Sequence, residues 1–173
     1  MSVHGVWLGL ALGAIATASL LAAGSGAAIG GESGRACTIF GTAGDDVIEG
    51  TDGRDRICGR GGADQIKARD GGDLVWAGKG DDWVLAGPGD DAVWGGSGSD
   101  KLHGLRGNDG LWGRVGIDIL TGDGGRDRFY GNRGVDVMYS ADYPPLREWV
   151  RGGKGKDVVN ADRRDIVLSA KRQ

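Results

Sequence analysis

The stretch Gly95-Gly96-Ser97-Gly98-Ser99-Asp100-Lys101-Leu102-His103 is one nine-residue unit, and Gly104-Leu105-Arg106-Gly107-Asn108-Asp109-Gly110-Leu111-Trp112 is the next. The same pattern runs from Gly41 to Tyr139, eleven units without an insertion or deletion. The fourth residue is always Gly. The sixth is always Asp: Asp46, Asp55, Asp64, Asp73, Asp82, Asp91, Asp100, Asp109, Asp118, Asp127 and Asp136. The eighth is always apolar, from Ile48 to Met138, and the first is Gly except at Ala68, Ala77 and Ala86. A short fixed period is the mark of stacked repeats, because no single unit can bury a core alone.

Each unit reads as a turn followed by a very short strand. Small residues at positions one and four permit tight backbone paths with positive φ. In the triplet at positions seven to nine, side chains alternate between faces, so position eight points inward. One nonapeptide reverses the chain once, and eighteen residues complete a coil. Units of equal parity then stack about 4.8 Å apart, and the regular stretch makes a slab roughly 25 Å long. The turns place Asp columns along both edges. Stacked carboxylates about 5 Å apart repel by on the order of 1 kcal/mol even when solvated. A hard divalent cation between turns removes that cost, and calcium accepts the irregular oxygen sets that such turns offer.

Units such as Gly95 to His103, and Gly152-Gly153-Lys154-Gly155-Lys156-Asp157-Val158-Val159-Asn160, resemble the RTX, or haemolysin-type, calcium-binding repeat. The resemblance covers about 41–160 and implies an all-β fold, a right-handed parallel β-roll. It also implies several calcium ions held by the position-six Asp residues, Asp157 included, and by turn carbonyls. The opening Thr38-Ile39-Phe40-Gly41-Thr42, with Cys37 and Cys58, is similar to small secreted actinobacterial members of the group. A disordered glycine-rich chain is the alternative, but disorder does not require Asp and an apolar residue in register eleven times.

Ahead of the repeats, Trp7 to Ala23 is apolar and uncharged, and Ala22 to Ala28 suits signal-peptidase cleavage. About seventeen residues is short for a membrane span. The expected layout is a signal peptide at 1–28, a leader and capping strand at 29–40, the roll at 41–160, and a C-terminal cap at 161–173. A longer loop at 140–151 interrupts the roll, and membrane contact is expected only through an uncleaved N-terminal segment. A chain exported in this way is secreted or held at the cell surface. Two Cys in such a chain suggest one disulfide, Cys37–Cys58, although ideal repeat geometry sets them at different positions of the unit and leaves two free thiols as the alternative.

Variation at positions three and five separates rich turns from poor ones. Asp45, Asp52, Asp70, Asp81 and Asp90 add carboxylates. Lys79, Arg106, Arg133 and Lys154 at position three, with Arg54, Arg126 and Lys156 at position five, add cations. Between 41 and 160 there are 21 acidic and 16 basic residues, a net charge of −5, so fewer ions than turns are expected. Position nine carries Trp76, Trp94, Trp112 and Tyr130 on one outward face. They form either a stabilising aromatic ladder or a platform for a cell-surface polymer, sugar or protein. A purely structural roll, with Arg–Asp pairs in place of calcium, is the third reading.

The break at Ser140 to Arg151 keeps Glu148 where Asp would stand, and Asp165 precedes a last triplet, Ile166-Val167-Leu168. No catalytic constellation is legible: the only histidines are His4 and His103, too few for a nucleophilic triad. The chain also lacks the basic excess of a nucleic-acid binder. It reads as a calcium-binding protein and not an enzyme.

Overall fold

The computed structural model describes residues 37–140 and 145–168. In chain order the strands are β1 (Ile39–Phe40), β2 (Val47–Glu49), β3 (Arg56–Gly61), β4 (Gln65–Lys67) and β5 (Leu74–Lys79). Then come β6 (Trp83–Pro88), β7 (Ala92–Ser97), β8 (Lys101–Arg106), β9 (Gly110–Val115) and β10 (Ile119–Gly124). The last are β11 (Arg128–Arg133), β12 (Val137–Tyr139), β13 (Trp149–Lys154), β14 (Val158–Asn160) and β15 (Ile166–Leu168). Odd-numbered strands form an eight-stranded sheet and even-numbered strands a seven-stranded one. The pairs are parallel, as in β5 with β7 and β8 with β10. The chain therefore winds as a β-solenoid, a parallel β-roll.

The repeat dictates the register. Trp76 pairs with Trp94, and Leu102 with Leu120, one coil of eighteen residues apart. At the break, Phe129 pairs with Val150 and Val137 with Val158, so three extra residues are absorbed in the loop before β13. The final step is one residue short, Val150 to Val167.

Position eight fills the core. Ile57, Val75, Val93, Leu111 and Phe129 face Ile66, Val84, Leu102, Leu120 and Met138, all fully buried. Position one joins them, with Ala68, Ala77 and Ala86 also at 0 % exposure.

Two local expectations are corrected. Most strands run six residues: β5 continues from positions seven to nine through the first three of the next unit. Positive φ falls at positions four and two, not at position one. Position two includes Arg60, Arg69, Leu105, Arg114, Asp123 and Asn132, all with φ between 65 and 81°. The strand bends there without ending. Glycine at position one answers a steric need instead, since a Cβ on Gly95 would overlap the Asp100 carboxylate.

Each end carries a local tie, although Val167, at the core position of the last strand, is 41 % exposed. Cys37 and Cys58 are disulfide-bonded, with Cα atoms 6.0 Å apart, tying the chain ahead of β1 to β3. At the other end Asp165 accepts hydrogen bonds from the Ser140 hydroxyl (2.9 Å), the Asp162 amide (2.9 Å) and the Glu148 amide (3.3 Å). The expected signal at 1–28, most of the leader and the last five residues lie outside the described residues. No helix among the described residues is long and apolar enough to cross a membrane.

Candidate metal site

The position-six residues gather into two columns, one on each edge of the slab. The first edge carries Asp46, Asp64, Asp82, Asp100, Asp118, Asp136 and Asp157. The second carries Asp55, Asp73, Asp91, Asp109 and Asp127, continued by Glu148, which is 1 % exposed. Asp55 to Asp136 are buried, none above 6 % exposed. Residues two apart in an extended chain share a face, so positions six, eight and one all turn inward.

Burial is met by a continuous hydrogen-bond ladder. From Asp64 onward each position-six Oδ1 accepts the amide of the Asp one coil earlier: Asp46 N–H to Asp64 at 2.9 Å, Asp82 N–H to Asp100 at 2.9 Å, Asp91 N–H to Asp109 at 2.8 Å. The second oxygen fares differently. In the first two units Oδ2 accepts from Thr42 (2.5 Å) and Thr51 (2.6 Å). At Asp64, Asp82, Asp100 and Asp118, and at Asp73, Asp91 and Asp109, Oδ2 is buried with no hydrogen-bond partner. A buried carboxylate oxygen without a partner is costly. Desolvation accordingly pushes these carboxyls up, to about 8 at Asp109, about 7 at Asp91 and Asp100, and about 6 at Asp64, Asp82 and Asp118. Neighbouring carboxylates add to the rise.

Position five supplies the reverse contact. Asp45 accepts from the Ala63 amide (2.7 Å), Asp81 from Ser99 (2.7 Å) and Asp90 from Asn108 (2.8 Å), each one coil later. Position five thus reaches forward while position six reaches back. Three gaps between turns thereby hold two carboxylates each: Asp45 with Asp64, Asp81 with Asp100, and Asp90 with Asp109. In each pair the position-five charge raises its partner's pKa. Of the other extra carboxylates, Asp52 lies 3.6 Å from Arg69, and Asp70 is exposed. Arg69 also pairs with Glu49 at 2.6 Å, so its ion pairs involve no ladder carboxylate.

This donor set suits a hard cation. No three His, Cys, Asp or Glu side chains cluster as a metal group among the described residues, so an ion here must also draw on backbone carbonyls. Oxygen-only, mixed side-chain and carbonyl coordination is the chemistry of calcium. The orphaned Oδ2 atoms and the doubled carboxylates fit it.

The four position-nine aromatics form a stack on the outer face of the eight-stranded sheet. Ring centroids are 5.0, 4.8 and 5.4 Å apart from Trp76 through Trp94 and Trp112 to Tyr130, with planes within 11° of parallel. That spacing is the strand spacing, about 4.8 Å. The rings face one another along the stack, and mainly their edges are turned to solvent. Gly110 makes room for it, since a Cβ there would overlap the Trp112 indole. Trp94→Ala is expected to cost about 1–3 kcal/mol, read as a lower midpoint of thermal or urea unfolding, because it removes the middle of two stacked contacts.

Fold and ladder define a class: a parallel solenoid of nonapeptides with an Asp at each turn. The model of the RTX calcium-binding nonapeptide repeat matches in four copies, at residues 38–66, 68–102, 76–111 and 112–142, and the chain belongs to that family. No curated protein matches the chain.

Proposed function

We propose that this protein is an exported calcium-binding roll in which the ion drives folding. The position-six residues Asp46 to Asp136 and Asp157, with turn carbonyls, are the ligands. The gaps shared by Asp45–Asp64, Asp81–Asp100 and Asp90–Asp109 bind most tightly, because two carboxylates converge there. The observation that carries this reading is the column of buried Asp Oδ2 atoms without hydrogen-bond partners. When bound, calcium supplies a charge that keeps those carboxylates ionised inside the slab. The chain's own part is to bring the turns into register, which exists only once coils stack, so binding energy appears as folding energy. The Cys37–Cys58 bridge supports an oxidising compartment and hence export. No catalytic role is assigned to any residue.

Calorimetric calcium titration tests this. The Asp100→Asn variant keeps an oxygen for the Asp82 amide but loses the charge. It is expected to weaken or abolish one class of sites while the others persist. An unchanged isotherm would remove Asp100 from the ligand set.

A further inference from the structure

The first edge changes character along its length. Its early turns carry Asp45 and Asp81 at position five. In the last three turns that position becomes Ile117, Val135 and Lys156. Val115, Ile117 and Val135 are exposed at 48 %, 59 % and 46 %. Between and beside them stand Arg114, Arg133, Lys154 and Lys156, all exposed. The only carboxylates of these turns are Asp118, Asp136 and Asp157, and the first two are fully buried. The adjoining strands are in register, Ile119 with Val137 and Val137 with Val158, so the turn tips lie in one row.

We propose that this row is a docking edge for an anionic lipid surface. Apolar tips interleaved with unpaired cations, and no exposed carboxylate, match a plane that is negative outside and apolar beneath. A row of turn tips meets a plane along its whole length, with no pocket required. A second copy of the chain is the weaker occupant. The complementary acids, Asp45 and Asp81, already accept amides from the next coil. Three turn tips would also bury far less than the ~1,200 Å² of a stable interface. The proposal does not rest on the calcium reading.

The full-length chain at saturating calcium, with its fold checked by circular dichroism, is sedimented with two kinds of vesicle. One is phosphatidylcholine alone, and the other contains phosphatidylglycerol as well. Preferential binding to the anionic vesicles is expected, about thirtyfold weaker in the double variant Arg114→Gln/Arg133→Gln, at roughly 1 kcal/mol per cation. Ile117→Ser is expected to reduce retention as well, and Arg126→Gln, on the opposite edge, to leave it unchanged. Should the double variant misfold, Lys154→Gln/Lys156→Gln serves in its place. Equal binding to both vesicles would assign retention to the apolar stretch 7–23 and overturn the proposal. Anionic binding that ignores the cation variants would point to calcium bridging and overturn it too. So would absence from both vesicles, with doubled mass identifying a second copy as the occupant.

Discussion

Removing calcium from this protein at neutral pH is expected to abolish most of its β signal in circular dichroism, with magnesium failing to restore it. One site held at a hundredfold excess over Kd contributes about 2.7 kcal/mol. Three such sites are comparable to the whole stability of a typical domain, about 5–15 kcal/mol. The pH dependence carries a definite sign. Asp64, Asp82, Asp91, Asp100, Asp109 and Asp118 have folded pKa values raised from 3.8 to between about 6 and about 8, so without metal the folded state binds more protons than the unfolded one. Metal-free stability is therefore greatest below about pH 4 and falls as pH rises through 6–8. Calcium reverses the trend, because protons and the ion compete for the same oxygens. Thermal melts at pH 4, 6 and 8, with and without chelator, check this. A chelated protein that is folded and as stable at pH 8 as at pH 4 would leave the stacked Asp residues without a role for calcium.

The second large effect is steric. Gly116→Val is expected to cost more than about 3 kcal/mol, through a forbidden φ and backbone overlap together. Gly116 has a φ of 148°, and a Cβ there would overlap the carbonyl oxygen of Gly98, the same position one coil below. Gly44 occupies the equivalent place in the first unit, where a Cβ would meet nothing within 4 Å. Gly44→Ala is therefore expected to change stability by less than about 0.5 kcal/mol. Urea unfolding of the two variants makes the comparison. Similar losses in both would mean that glycine serves the turn itself and not the stacking.

Much of this is legible in the sequence. The nine-residue period carried the register, and position eight carried the core. Glu148 and Asp165 were identifiable as Asp-slot residues because each precedes an apolar-centred triplet. The depth of the Asp columns was missed, although parity held the signal: if position eight is inward, position six is too. The bend at position two was hidden by Arg60, Leu105 and Arg114, which do not advertise positive φ as glycine does. Gly78, Gly87 and Gly96 at the same position were the clue. The aromatic stripe was legible as a stack but not in its orientation, which depends on the indoles lying edge-on to the sheet.

The opposed reach of positions five and six gives the solenoid a direction. From Asp46 to Asp118, the amide of each ladder Asp donates to the carboxylate of the coil that follows it. A roll cut back from its C-terminal side therefore ends in unpaired amide donors on its new end face. One cut back from its N-terminal side ends in a spare acceptor, which a proton or a solvent ion can quiet. The two ends are thus unlike, donor at one and acceptor at the other, and on the second edge Asp165 stops the donor end by accepting the Glu148 amide.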